Sequence, residues 1–281
     1  MADFSPLTVT VDFPLPAYLR DHRLGGRSVL PAVDALRILA DTAGKSMPPA
    51  NIRHMRDIAL IRLLSIPPDD SRCRLFVTLA PAHGPDGVAA SLCTRFRSKS
   101  GRITRLKTHV SVIFGGPPPP AAPLPDRPPR TGFDVDAARL YRELVPFGPG
   151  FQSLTGTVTL SPEGATGTAM TPPKTVSIGG PTGSPFPLDA AFHAACAWGQ
   201  RFHHKIVYPM AITRRVITTP TAVDGRYAVT VRPVAAGNDT LTFDIWITSA
   251  AGIVCETVRG VRMAPIDGIS TDPPAWISAP C

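Results

Sequence analysis

Asp21-His22-Arg23-Leu24-Gly25-Gly26-Arg27-Ser28-Val29-Leu30-Pro31-Ala32 places a histidine on a glycine-softened loop and aims that loop at the start of a helix. Pro31 suits the first helical position, because its missing N–H would have no intrahelical partner there. Behind it Val33, Leu36, Leu39 and Ala40 recur at three- and four-residue spacing, the stripe of a helix buried on one side. The orphan amides at that helix start, Ala32 among them, would face the loop that carries His22. A base beside a cluster of backbone donors can take a proton next to a carbonyl and hold the oxyanion that results.

Outward from this stretch the chain reads as one helix wrapped by strands. Thr8-Val9-Thr10-Val11-Asp12-Phe13 alternates as a strand does. The helix runs to about Ala43, with Gly44 fitting its C-cap and Pro48 and Pro49 barring continuation. Strands are expected over 57–64, 73–79 and 88–98, then a turn at Ser98-Lys99-Ser100-Gly101 and a returning strand over 102–114. Residues 115–130, with eight prolines in Gly-Gly-Pro-Pro-Pro-Pro-Ala-Ala-Pro-Leu-Pro-Asp-Arg-Pro-Pro-Arg, suit a semi-rigid linker. Beyond it the pattern repeats: a short helix over 135–144, strands over 151–160 and 164–171, a helix over 187–201 and strands over 227–233, 240–249 and 253–263. The expected organisation is α+β, with a unit over 1–114, a linker over 115–132, a second unit over 133–265 and a tail over 266–281.

Composition narrows the function classes. A chain of 281 residues with 43% hydrophobic and 18% charged content is globular rather than disordered. No apolar run approaches the roughly 20 residues that cross a bilayer, and the N-terminus lacks the basic and apolar regions of a signal peptide, so a cytoplasmic protein off the membrane is the expectation. Five scattered cysteines with no CxxC pair argue against a zinc site or a disulfide framework. The net charge of +8 suits an acidic partner. Arg95, Arg97, Lys99, Arg102, Arg105 and Lys107 alternate along two strands and their turn, as a solvated face or as a docking surface. Nucleic acid is disfavoured, since aromatic interleaving is limited to Phe96.

His22 before the first helix and Asp189 in the first turn of the second stand at matching places, and Asp189 and His193 share a helix face. Each also has an ordinary use: His22 as a solvated or capping residue, Asp189 as a helix cap, His193 as packing. His203 and His204 fit exposed positions past the helix end.

His22-x3-Gly26-x4-Pro31 resembles the HxxxGxxxxP signature of the dehydratase domains of polyketide synthases and related fatty-acid synthases. Phe147-Gly148-Pro149-Gly150-Phe151-Gln152 is similar to that family's YGPxFQ-like turn, and Asp189-x3-His193 to its aspartate followed four residues on by Gln or His. Tyr208-Pro209-Met210-Ala211-Ile212 is loosely similar to the family's proline-containing stretch after the second helix. The resemblance covers roughly residues 10–265 and implies a double hotdog, two tandem helix-in-antiparallel-sheet units. It also implies syn elimination of water from a 3-hydroxyacyl thioester. His22 would remove the α-proton, Asp189 would protonate the departing hydroxyl, and the Ala32 amide would hold the thioester carbonyl. Gly26, Pro31, Ala32, Phe147, Gly148, Phe151 and His193 would bind substrate. Phe147 stands where the family commonly has tyrosine, and Ala32 where related single-hotdog dehydratases have glycine.

On this resemblance an acyl carrier protein is the partner, docked on the basic face, and brings the substrate on its phosphopantetheine arm; no metal or organic cofactor is expected. An acid at position 189 must be protonated near neutral pH, against a usual pKa of about 3.9. A helix N-terminus favours the anion by about 0.3–1 kcal/mol, whereas burial raises a carboxyl pKa by up to about 3–5 units, so desolvation should win in a dry pocket. The same dyad fits a double-bond isomerase or a product-template-like cyclisation domain, and the fold alone fits a non-catalytic acyl- or carrier-binding scaffold. Met1 fits a free-standing enzyme supplied in trans, with an excised megasynthase domain as the alternative.

Overall fold

The computed structural model describes residues 6–47, 50–82, 87–97, 104–116, 132–172, 179–269 and 272–278. The N-terminal half holds β1 (Leu7–Pro14), a small hairpin of β2 (Arg23–Leu24) and β3 (Arg27–Ser28), and α1 (Ala32–Ser46). It continues with β4 (His54–Leu60), β5 (Arg72–Pro81), β6 (Val88–Arg97) and β7 (Thr104–Phe114). The C-terminal half holds β8 (Phe133–Asp136), α2 (Ala137–Glu143), β9 (Leu154–Ser161), β10 (Gly164–Ala169) and α3 (Phe186–His203). It closes with β11 (Tyr208–Ile217), β12 (Tyr227–Ala236), β13 (Leu241–Ser249), β14 (Val254–Ala264) and the short α4 (Ala275–Ser278).

All of these strands except β2 and β3 form one antiparallel sheet in the order β1-β5-β6-β7-β4-β11-β14-β13-β12-β10-β9-β8. The first five curl around α1 and the last seven around α3, with β4 and β11 paired at the seam. This is a double hotdog.

The helices show why the sheet can close so tightly. In α3 every residue from Phe186 to Gln200 is buried, and Ala190, Ala191, Ala194, Ala195 and Ala197 let strands approach on all sides. Two polar side chains in that run are anchored: Trp198 donates to the Ser161 carbonyl at 2.8 Å and Gln200 to the Leu144 carbonyl at 3.0 Å. Around α1 burial is also wider than a stripe, taking in Val33–Leu36, Ile38–Ala40 and Thr42–Ala43.

The structure shifts several expected boundaries. Pro31 is the N-cap of α1 rather than its first helical residue, with an extended ψ of 147°. The helix passes through Gly44 and ends at Ser46; Gly44 serves close packing rather than a cap, since a Cβ there would stand 3.3 Å from Ile52 Cδ1. Residues 133–136 form β8, and Asp136 caps α2 by accepting from the amides of Ala138 and Arg139. Strand β11 was not expected. Pro48, Pro49, the turn 98–101 and residues 117–130 of the expected linker lie outside the described residues.

The basic run does not make one face. Opposite residues in an antiparallel pair point the same way. Lys107 therefore shares a face with Thr94, and Arg105 with Phe96, while Arg95 points the other way with Leu106. The Arg95 guanidinium covers the Phe76 ring at 4.6 Å. Lys99 and Arg102 lie outside the described residues.

Candidate active site

The His22 stretch forms a tight hairpin. Gly25 and Gly26 take φ of +55° and +75° between β2 and β3, a turn that favours glycine at both central positions. Nothing lies within 4 Å of a Cβ placed on Gly26, so backbone conformation rather than space requires glycine there. The hairpin folds Val29 back onto His22: the Val29 amide donates to the His22 carbonyl at 3.0 Å, and His22 Nδ1 lies 3.0 Å from the Val29 carbonyl. A carbonyl only accepts, so Nδ1 carries the proton and Nε2 is left with its lone pair. Burial drives the His22 pKa down from 6.5 to about 4, so the ring is a neutral base at neutral pH.

Aromatic rings build the wall beside it. Phe147 stacks on His22 with centroids 4.4 Å apart, and Phe151 meets His22 edge-on at 5.1 Å. Phe147 also lies against His193, with centroids 5.1 Å apart. Phe147 thus packs on both histidines and helps to dry them. The turn that presents it is clamped by Asp21, the residue just before His22. Asp21 Oδ2 accepts from the Gly150 amide at 2.7 Å, and the Asp21 carbonyl accepts from the Gly148 amide at 2.9 Å.

Asp189 and His193 come from the first turns of α3. Asp189 is 4% exposed, and its pKa is pushed well above the usual carboxylate range, by desolvation first and by the buried Asp34 carboxylate second. Asp34, on α1, is itself raised by burial, and it accepts from Tyr18 at 3.3 Å and from Arg37 at 3.2 Å. The pKa of His193 falls to about 3 through burial and then through the charge of His22. His193 Nε2 lies 3.1 Å from Asp189 Oδ2. The pair does not make a hydrogen bond in this geometry, however, and neither atom has another hydrogen-bond partner among the described residues. On its other side, His193 Nδ1 lies 3.1 Å from the Tyr141 hydroxyl.

His22, Asp189 and His193 line a single cavity of about 760 Å³, together with Gly26, Ala32 and Phe147. Its remaining wall is largely apolar, including Phe192, Val207, Met263 and Ile266, and Arg23, Arg62 and Lys107 also line it. The Ala32 amide precedes the first intrahelical bond of α1, from the Ala35 amide to the Pro31 carbonyl, so the helix has no acceptor for it. Pro31, Gly148 and Phe151 do not line the cavity: Pro31 caps α1, Gly148 packs on Asp21, and Phe151 lies behind His22. Asp21, Asp34 and Tyr141 were not among the expected site residues. Asp21 and Tyr141 find partners 129 and 52 positions away, which no local spacing reports, and Asp34 bears on the site through its charge beside Asp189.

A family profile described as "Polyketide synthase dehydratase N-terminal domain" matches residues 119–270, more than half of the chain. The chain belongs to the polyketide synthase dehydratase family. One of the subunits of a polyunsaturated fatty acid synthase from Thraustochytrium sp. is 25% identical over 228 residues, 79% of this chain but only 8% of that protein. Among solved structures, a trans-AT polyketide synthase dehydratase domain from Brevibacillus brevis superposes with a TM-score of 0.73 at 16% identity, covering 95% of this chain and 96% of that one. The dehydratase domain of PpsC from Mycobacterium tuberculosis, in complex with C12:1-CoA, gives 0.68 at 20% identity, covering 93% and 94%. The dehydratase domain from the CurH module of curacin polyketide synthase gives 0.72 at 17%, covering 97% and 94%. These likenesses share the double-hotdog fold with this member of the dehydratase family. Among the described residues no helix is long and apolar enough to cross a membrane, and no three His, Cys, Asp or Glu side chains gather as metal ligands would.

Proposed function

We propose that this chain removes water from a 3-hydroxyacyl thioester carried on an acyl carrier protein, giving the 2-enoyl thioester. One observation supports this above the others: a base whose pKa burial lowers and an acid whose pKa burial raises share one largely apolar cavity.

His22 Nε2 takes a proton from C2, and the Ala32 amide receives the charge that grows on the thioester oxygen. Asp189 gives its proton to the hydroxyl on C3, the C3–O bond breaks, water leaves and the C2–C3 double bond forms. The proton held on His22 then returns to the Asp189 carboxylate, which restores both groups. Phe147 contributes shape and dryness rather than a hydroxyl. The apolar wall suits a hydrocarbon acyl chain, and Arg23, Arg62 and Lys107 suit a phosphodiester on the pantetheine arm. Among the described basic residues expected to dock a carrier protein, Lys107 is the one that reaches this cavity.

The test is mass spectrometry of a 3-hydroxyacyl carrier protein after incubation with wild type, His22→Ala or Asp189→Asn, with the enoyl form run in parallel for hydration. Wild type should remove one water, and each variant should lose at least about 100-fold in rate while keeping its fold. No turnover in either direction across several chain lengths would end the dehydratase reading. A displaced double bond or a ring in the product would assign the dyad to isomerisation or cyclisation instead.

A further inference from the structure

Dehydration by His22 and Asp189 leaves the neighbouring His193 without a task. His193 is buried, and the groups facing it are Asp189 from its own helix, Tyr141 from α2, and His22 with Phe147 across the cavity. Tyr141 is also buried, and its oxygen already accepts the Leu154 amide at 2.7 Å. A buried phenol needs an acceptor for its own proton. His193 Nδ1 lies 3.1 Å from the phenol oxygen, and the buried Ser153 hydroxyl is the other side-chain group beside it.

We infer that Tyr141 is a positioning residue: by donating to His193 Nδ1 it fixes the Nε2–H tautomer and sets a permanent donor beside Asp189 Oδ2. The inference rests on Asp189 being the acid. A donor at Nε2 stabilises the carboxylate left after proton transfer and leaves Oδ1 to carry the transferable proton. The opposite tautomer would present a lone pair to Asp189, take its acidic proton into a hydrogen bond and hold it away from the substrate. The pair does not make this hydrogen bond in the resting geometry; hydrogen bonds in catalytic sites often tighten only on a substrate.

Two measurements test this. Histidine ¹⁵N spectra of the free protein should show His193 wholly as the Nε2–H tautomer, and Tyr141→Phe should convert it to a mixture. This readout needs no turnover, so it stands or falls apart from the dehydratase reading. The second is a cycle of variants. A glutamine at this position accepts from Tyr141 through its oxygen and donates to Asp189 through its nitrogen, with no tautomer to choose. Tyr141→Phe should lower kcat roughly 10-fold with KM little changed and displace the alkaline limb of the pH profile. Whatever rate His193→Gln retains sets the reference, and in that background Tyr141→Phe should cost little more. An Nδ1–H tautomer in wild type, or an equal loss from Tyr141→Phe in both backgrounds, would overturn the proposal.

Discussion

Burial acts with opposite sign on an acid and a base, because it always disfavours the charged form. At His22 it removes a proton and at Asp189 it retains one, so a single dry cavity prepares both. The kcat/KM profile should therefore be a bell. Its acid limb should fall near pH 4, where His22 gains a proton, and its alkaline limb should lie well above the usual carboxylate range, where Asp189 loses one. Asp34 bears on the second limb. Its negative charge raises the Asp189 pKa, so Asp34→Asn should move the alkaline limb to lower pH and leave the acid limb in place. Steady-state kinetics across pH checks both. His22 and Asp189 stood out in the sequence because one precedes a helix, the other lies in a helix's first turn, and each falls within a spaced motif. Asp34 did not: it reads as an ordinary first-turn acid, and only the packing of α1 near α3 brings it close to Asp189.

The element that decides catalytic geometry is the turn at 147–151, held against the 3-10 turn Ala17–Asp21 that precedes His22. A Cβ on Gly148 would stand 2.5 Å from Asp21 Cγ, and one on Gly150 2.9 Å from Tyr18 Cβ. Gly148→Ala should therefore cost about 1–3 kcal/mol through overpacking and also slow turnover, because Phe147 moves off His22. Thermal melting and kinetics on the same preparation read both effects. The long helices were legible from their apolar content and β13 from its alternation. β11 was hidden, because Pro209 and the adjacent Arg214 and Arg215 interrupt the pattern that marks a strand. Arg215 enters the core only by finding Glu256 on the neighbouring strand, a contact that local periodicity does not carry.

At the scale of the molecule, β4 and β11 join two hotdogs into one sheet and so hold His22 and Asp189 in a common cavity. The seam buries Ile58 opposite Ile212, and Met55 opposite Arg215. Arg215 is 3% exposed and pairs in bidentate fashion with Glu256 at 2.7 and 3.1 Å. Arg215→Met should destabilise by about 3–5 kcal/mol, because it leaves Glu256 buried without a counter-charge. Arg215→Met combined with Glu256→Leu should recover much of that loss, and urea denaturation midpoints read the difference. The repeat of helix and strands was visible in the sequence, and with it the double hotdog. The joint between the repeats was not, since one of its two strands, β11, carries no legible alternation.

The most direct test follows the carboxyl carbon of Asp189 and the ring of His22 by NMR in the free protein as pH is varied. Asp189 should still be protonated well above about pH 4, where ordinary aspartates have ionised, and His22 should remain neutral down to about pH 4. An Asp189 that ionises near 4, or a His22 that gains its proton near 6.5, would contradict the assignment of acid and base.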